Sequence, residues 1–157
     1  MDNQEANSLL LFMRKDKFMS VLKAFLQPPA TNETKEVFID RFKDEEGKVI
    51  PFKIRRISQS ENEALGKQSQ KREKVDGQIQ IRMDNVEYSH RLVLACVVEP
   101  NLSDADLCAY YGVVDPKAAL GNMFTAGEYG QLISAIQEFN GFGGAKEIKE
   151  IEEEAKN

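Results

Sequence analysis

The stretch VVEPNLSDADLCAYYG, residues 97–112, gathers several side chains that could do chemistry. Its carboxylates, hydroxyl group and thiol could hold a cation or form a small catalytic pocket. A calcium-type loop needs more carboxylates at alternate positions and a closing bidentate acid, whereas Asp106 is followed by a mainly apolar run. Ser103 with Asp106 three residues later instead has the form of a capping box. We therefore interpret this stretch as the start of a helix.

The remaining candidates for chemistry do not form a catalytic or metal-binding pattern. The only histidine, His90, precedes Cys96 by six residues, which is about 600° of helical turn and places the two side chains on different sides. Cys108 could meet a base only through a tertiary contact. The sequence shows no cysteine and histidine cluster suited to zinc, and the glycines at 141–144 follow a helix, unlike a phosphate-binding loop. We predict that the protein is not an enzyme and uses no cofactor or metal.

The composition is that of a soluble globular protein. Of the 157 residues, 41% are hydrophobic and 30% are charged, and the net charge is -5. This length suits one domain with its own core, and the acidic balance disfavours a nucleic-acid binder. The apolar runs, including the one at residues 9–13, are too short to span a membrane. We expect a cytoplasmic protein in which both cysteines are free thiols.

The first third of the sequence predicts a helix and then a hairpin. Large apolar residues recur at helical spacing between positions 18 and 26, and the prolines that follow must end that helix. The alternating runs KEVFIDRF and KVIPFKIRRI are joined by a turn containing Gly47, which predicts a β-hairpin over residues 34–57. Because Pro51 lacks an N–H donor, we expect its strand to be an edge strand or to contain a bulge.

From residue 58 onward the sequence is typical of helices. Helix caps are predicted at Ser58, Asp115 and Thr125. A polar helix should follow the first cap, a polar loop should occupy residues 73–83, and a long buried helix should extend towards Pro100. Three short helices follow. The predicted fold class is α+β, a mainly helical bundle with one β-hairpin in the N-terminal half.

The expected organisation has three parts. An N-terminal helical segment, residues 1–30, precedes a core of residues 31–144, in which the hairpin 34–57 is followed by helices over residues 58–142. The last part, residues 145–157, contains five glutamates and three lysines. A short charged segment is a marginal helix in water, so we expect a charged, flexible tail.

Two features could serve binding rather than catalysis. Large apolar side chains near the amino terminus could dock on another chain, although they could also fold back onto their own core. A basic run at residues 67–74 could attract an acidic partner, although a solvated helix face is the simpler interpretation. The candidate partner-binding residues are Leu10, Phe12, Met13, Phe18 and Phe25.

Two blocks of the sequence resemble one known family. They are RFKDEEGKVIPFKIRRISQSENEAL, residues 41–65, and RLVLACVVEPNLSDADLCAYYGVVDPKAALGNMFTAGEYGQLISAIQEFNGF, residues 91–142. The succession of VVEPNL, AYYGV, GEY and FNGF is the most specific part. The chain is similar to the XkdN-like tail assembly chaperones of bacteriophages and of prophage elements such as PBSX. Residues 1–30 and the tail lie outside the resemblance.

This resemblance implies a viral protein of the bacterial host cytoplasm that assists assembly of a long tail of siphovirus or myovirus type. Such chaperones are thought to coat the tape measure protein and keep it soluble until tail tube subunits polymerise around it. They then leave, so the mature virion lacks them. The tape measure protein is the implied partner, and the tail tube protein and a second copy of the chain are further candidates. Neither nucleic acid nor membrane is expected.

Three other functions stay open at this point. A structural tail-completion or connector protein would be retained in the virion. A cysteine-dependent enzyme would use Cys108. A nucleic-acid accessory factor would bind with a steep salt dependence.

Overall fold

The computed structural model describes residues 2–142 and 152–157, and the chain divides into two units, Met1–Ala30 and Thr31–Asn157. The first unit contains one helix, α1 (Asn3–Phe25), which ends just before the prolines, as the sequence predicts. None of the residues of α1 is buried. Within the described part of the chain, no helix is long and apolar enough to cross a membrane.

The second unit alternates strands and helices along the chain. Its first sheet has the strand order β1-β2-β5, and its second sheet is the antiparallel pair β3-β4. Residues 152–156 are also helical. The elements are β1 (Thr34–Val37), β2 (Phe52–Arg55), α2 (Gln59–Gln68), β3 (Gln70–Val75), β4 (Gln78–Met83), α3 (Asn85–Cys96), β5 (Val97–Glu99), α4 (Ala105–Tyr110), α5 (Pro116–Met123) and α6 (Ala126–Phe139).

This architecture corrects the predicted fold class. The prediction of a mainly helical bundle with one β-hairpin is wrong, because the described residues form a three-stranded and a two-stranded sheet among the helices. The predicted division into residues 1–30, 31–144 and 145–157 stays a prediction. Residues 145–151 of the predicted tail lie outside the described residues.

A second hairpin replaces the predicted polar loop at residues 73–83. The strand β3 is mostly charged or amide-bearing and lacks the apolar alternation by which a half-buried strand is recognised, whereas the short strand β4 does alternate polar and apolar residues. The turn between them has two residues, Asp76 and Gly77, with φ of 50° and 81°. Positive φ at both positions is what a tight hairpin turn requires, and Asp-Gly is a preferred pair for it. That dipeptide and the alternation in β4 were the available sequence signals.

The first sheet also differs from prediction at its centre. The segment β5 was predicted as the end of the long helix, but it leaves the helix and pairs with β2 through Val97 and Glu99. Its two β-branched valines favour the extended conformation. The strand β2 is therefore central, not an edge strand. Pro51 lies immediately before β2, where its missing N–H removes no bond from the ladder. A register irregularity falls between Lys53 and Ile54 on the β5 side.

The core lies between the first sheet and the helices α3 and α6. Phe52 and Ile54 of β2 are 2% and 0% exposed, and both belong to the main buried cluster. The ring of Phe52 lies 5.0 Å from that of Phe42 and 5.6 Å from that of Phe124, between centroids. The helices contribute further apolar side chains to the same cluster: Leu92, Val93, Cys96, Leu132 and Ile136.

Three predicted helix caps are confirmed and one is shifted. The side-chain oxygens of Ser58, Asp115 and Thr125 each accept a hydrogen bond from a backbone N–H in the first turn of the following helix. Before α4 the cap is Asp104 instead of Ser103. Its Oδ1 accepts hydrogen bonds from two backbone N–H groups, at 2.9 and 3.0 Å. The stretch of residues 97–112 therefore does contain a helix start, with the cap one residue later than predicted.

Replacement of a single isoleucine tests this account of the core. We expect Ile54→Ala to lower the free energy of unfolding by about 2–5 kcal/mol, because it leaves a cavity in a fully buried site. Ile79→Ala is the matched control, since Ile79 is also a strand isoleucine but is 71% exposed. It should cost less than about 1 kcal/mol. Urea unfolding measures both, and equal losses would contradict the assignment of the core.

Candidate partner-binding surfaces

All five candidate partner-binding residues lie on α1, and all five are exposed. Leu10, Phe12 and Met13 are 55%, 64% and 59% exposed. Phe18 and Phe25 are 67% and 77% exposed. The alternative that these side chains fold back onto their own core stays an alternative prediction. Isolated exposed apolar residues are ordinary, whereas so many on one helix are typical of a contact surface.

The arrangement on α1 follows from helix geometry. Each residue advances by about 100°, so the five consecutive apolar residues at 9–13 surround the helix axis completely. Phe18 and Phe25 are seven residues apart and project within about 20° of each other. The polar side chains of Asp16 and Lys23 lie about 160° away from these two rings. The carboxy-terminal part of α1 therefore has a distinct apolar side.

A groove in the second unit is a further candidate site. It has a volume of about 420 Å³ and is formed by three separate segments of the chain. Concave, mainly apolar pockets are the usual form of binding sites. An ion pair between Lys53 and Glu99, with 3.0 Å between nitrogen and oxygen, lies beside it. The lining residues are Phe42, Lys43, Ile50, Pro51, Phe52, Glu99, Pro100 and Met123.

No sequence signal pointed to this groove. Its residues are far apart in the chain, and each of them has an ordinary local role in a strand, a turn or a helix. Only the packing of β2 beside β5 and α5 brings them together. The candidate residues on α1 and this groove belong to different units, and each is a surface in its own right.

The GEY motif has a structural role. Arg41 donates two hydrogen bonds to the Glu128 carboxylate, at 2.8 and 2.6 Å. The hydrogen bond from Arg41 lowers the pKa of the Glu128 carboxyl below its ordinary value. Tyr129 forms a hydrogen bond with Ser89 of α3, with 2.5 Å between the oxygens. The motif therefore connects α6 to the segment after β1 and to α3.

The FNGF motif is structural in the same way. The Asn140 side chain accepts a hydrogen bond from the backbone N–H of Ile57 at 2.9 Å and donates one to the Ile136 carbonyl at 2.8 Å. The Phe139 ring lies 4.0 Å from the guanidinium carbon of Arg56, a cation–π contact. Gly141 has a φ of 75°, the left-handed conformation that ends many helices.

The basic run at residues 67–74 does not form one helix face. Lys67 is in α2, whereas Lys71, Arg72 and Lys74 are in β3. Because alternate strand residues point to opposite faces, Arg72 and Lys74 share one side of the hairpin and Lys71 lies on the other. The simpler interpretation of this run as a solvated helix face is therefore wrong.

The residues considered for catalysis are not brought together. Cys96 and Cys108 are both free and buried. The Cys96 sulfur accepts from the Asn140 amide, whereas the Cys108 thiol points to the Leu102 carbonyl. The His90 ring packs edge-on against Tyr129. Among the described residues, no group of three or more metal-ligating side chains is assembled.

Comparison with known proteins identifies a family. The model for the phage XkdN-like tail assembly chaperone protein, TAC, matches residues 22–156. The chain is 29% identical over 139 residues to the phage-like element PBSX protein XkdN of Bacillus subtilis (strain 168), covering 85% of this chain and 93% of that protein. It is 30% identical over 139 residues to YqbN of the same strain, covering 85% and 92%.

A solved structure agrees with these sequence matches. A crystal structure of the protein YqbN superposes with a TM-score of 0.58 at 25% identity and covers 74% of this chain and 93% of that chain. The match of the family model extends over most of the chain and includes both blocks from which the resemblance was inferred. The chain therefore belongs to the family of XkdN-like phage tail assembly chaperones.

Proposed function

We propose that this protein is a non-enzymatic chaperone that binds the tape measure protein of a phage tail and keeps it soluble until tail tube subunits polymerise around it. The observation that carries the proposal is α1, a helix of 23 residues in which large apolar side chains are exposed and none is buried. Membership of a tail assembly chaperone family supports it. Most of α1 precedes residue 22, where the family match starts, so the contact residues are inferred from exposure alone.

The chemistry of α1 suits a long helical client. An apolar helix surface binds another helix by packing side chains from successive turns, as in helix-in-groove recognition. Leu10, Phe12, Met13, Phe18 and Phe25 are the proposed contacts. Each such contact is modest in free energy, but many copies along one client would act together. Modest affinity at each copy also permits release when tube subunits arrive.

The groove beside β2 offers a second contact in the core unit. Its volume of about 420 Å³ is enough for one or two large apolar side chains of a client. The ring of Phe52 and the side chain of Ile50 supply apolar walls, and Lys43 and Glu99 provide polar groups at the same site. This combination binds an apolar side chain together with a neighbouring polar backbone group.

A non-enzymatic role is consistent with the state of the thiols. Burial raises the pKa of the Cys96 thiol to about 11, so only about one molecule in a thousand is a thiolate at about pH 8. Cys108 is 2% exposed, and its thiol points to the Leu102 carbonyl. A nucleophilic cysteine instead needs a lowered pKa and access to substrate.

The proposed setting is the cytoplasm of the bacterial host during tail assembly. The tape measure protein is the main partner, the tail tube protein is a second one, and the finished virion lacks the chaperone. A structural tail-completion or connector protein would remain in the virion. Quantitative mass spectrometry of purified particles distinguishes the two functions, since stoichiometric copies in mature tails would contradict a chaperone that leaves.

Coexpression tests the proposed function directly. The tape measure protein encoded beside this chain should be soluble when the two are coexpressed and should aggregate when it is expressed alone, because its apolar helices are otherwise uncovered. The soluble fraction of the tape measure protein is the measurement. An unrelated acidic protein of similar size is the control. Equal aggregation with and without this chain would overturn the proposal.

A double substitution on α1 tests the contact residues. Phe18→Ser with Phe25→Ser should reduce capture of the tape measure protein by at least about tenfold, since it removes the two aromatic rings that project from the apolar side. The thermal stability of the core unit should not change, because no residue of α1 is buried.

The matched control for this variant is Asp16→Ser with Lys23→Ser. These two residues have the same seven-residue spacing on the opposite side of α1, and their replacement leaves the net charge unchanged. Capture should stay within about twofold of the unmodified chain. If both double variants reduced capture of the tape measure protein equally, the loss would come from a lower helix content of α1, and the proposed apolar contacts would be contradicted.

Thiol labelling tests the non-enzymatic assignment. In the folded chain at about pH 8 both cysteines should react with a disulfide reagent at least about a hundredfold more slowly than a free cysteine, because both are buried and Cys96 is protonated. In urea both should react fully. Rapid labelling of either thiol in the folded chain would reveal an accessible nucleophile and favour the cysteine-dependent alternative.

A further inference from the structure

One side of the β3-β4 hairpin has an exposed apolar row. Ile79, Ile81 and Met83 are alternate residues of β4 and are 71%, 60% and 46% exposed. Alternate side chains of a strand share a face, so the three form a row about 13 Å long. The hairpin face is defined as this row together with its cross-strand neighbours on β3, which are Gln70, Arg72 and Lys74.

The hairpin face is positively charged. The register places Lys74 opposite Ile79 and Arg72 opposite Ile81, so two cations flank the apolar row and the hairpin contributes no carboxylate to this side. On the other side of the hairpin, Glu73 pairs with Lys71 at 3.2 Å and lies 3.8 Å from Arg82. The hairpin balances the charge of one face and leaves the other cationic.

The folding of the described residues accounts for only one end of the apolar row, since the Met83 methyl lies beside Gly66 of α2 while Ile79 and Ile81 stay largely exposed. A two-stranded hairpin is at best marginally stable in water unless something packs on its apolar face. Sheets in domains cover such a face with another element. Here every residue of β4 is exposed. The row has the character of a docking surface that a partner covers.

The charges decide what kind of partner fits. If two copies packed these faces together, four cations would surround an apolar centre without a carboxylate, which is unfavourable for association. A partner with carboxylates beside an apolar stripe would instead pair with Arg72 and Lys74 while it covers the row. Arginine can bind such a carboxylate through two parallel hydrogen bonds.

We propose that the hairpin face docks an acidic amphipathic helix of a protein partner. Apolar residues at positions i, i+4 and i+7 of a helix extend over about 10.5 Å, comparable to the row of Ile79, Ile81 and Met83. Carboxylates on the flanks of that stripe reach the neighbouring strand, which lies about 5 Å to the side. The inference goes beyond the proposed function, in which α1 and the groove contact the client.

A designed peptide tests this surface on the full chain. The probe is a helix of about 18 residues with leucine at i, i+4 and i+7 and glutamate on both flanks of the stripe. A second peptide has lysine at every glutamate position. Fluorescence anisotropy should show binding of the glutamate peptide, weakening at least about threefold as salt rises from about 50 to about 500 mM. The lysine peptide should bind at least about tenfold more weakly.

Substitutions on the two faces locate the site. Ile81→Thr, which keeps a β-branched residue, should weaken glutamate-peptide binding at least about tenfold, as should Arg72→Gln with Lys74→Gln. Gln80→Thr and Lys71→Gln change the same strands on the opposite face and should leave the affinity within about twofold. Thermal melting should be the same for all of these variants, because every substituted side chain is exposed.

Several results would overturn the proposal. Failure of the glutamate peptide to bind, or equal losses from substitutions on both faces, would remove the docking site. A concentration-dependent dimer that Ile81→Thr dissociates in sedimentation experiments would assign the face to a second copy. Binding to vesicles rich in phosphatidylglycerol that Ile81→Thr abolishes would assign it to a membrane. None of these results would alter the coexpression outcome, so the proposed function can fail or succeed separately.

Discussion

The second unit depends on the burial of one face of β2 against α3 and α6. Phe52 and Ile54 supply that face, and the side chains they meet are among the most completely buried in the described residues. Because β2 is the central strand, its position determines where β1 and β5 can pair. The groove next to Phe52 exists because β5 leaves α3 at Cys96 and pairs with β2 at once. The packing of the core therefore creates the groove on the surface of this unit.

Polar contacts then fix the helices around this core. Glu128 and Asn140 attach the two ends of α6 to segments that flank the first sheet, through Arg41 and the backbone at Ile57. These residues lie in the motifs by which the family was recognised. In this chain these motif residues hold the fold together, so the motifs identify the family without identifying a binding site. The exposed apolar surfaces of α1 and of the hairpin lie outside those motifs.

Much of the local structure could be predicted from the sequence, because helix caps and helix ends are specified by neighbouring residues. The caps at Ser58, Asp115 and Thr125 and the end of α1 follow from single residues and their neighbours. The fold class could not be predicted in the same way. Residues 70–77 have the polarity of a loop, and the hairpin was indicated only by the Asp-Gly turn and by the short apolar alternation of β4. The segment β5 continues an apolar helix in sequence, and only pairing with β2 makes it a strand.

The candidate binding surfaces also differ in how far the sequence could predict them. The apolar residues of α1 could be selected from the sequence because they are closely spaced. Their exposure, in contrast, is seen only in the folded chain. The groove and the hairpin face required the structure, since both depend on register and packing.

The two exposed apolar surfaces share one electrostatic property, which bears on how a chaperone avoids its own aggregation. Arg14 and Lys15 directly follow the apolar run of α1, and Arg72 and Lys74 flank the apolar row of the hairpin, in a chain whose net charge is -5. Like charges beside each apolar surface oppose contact between identical surfaces of two copies. The same charges favour a partner of opposite sign. Selectivity for a client over another copy of the chain can therefore arise from these cations, while the apolar area supplies the affinity.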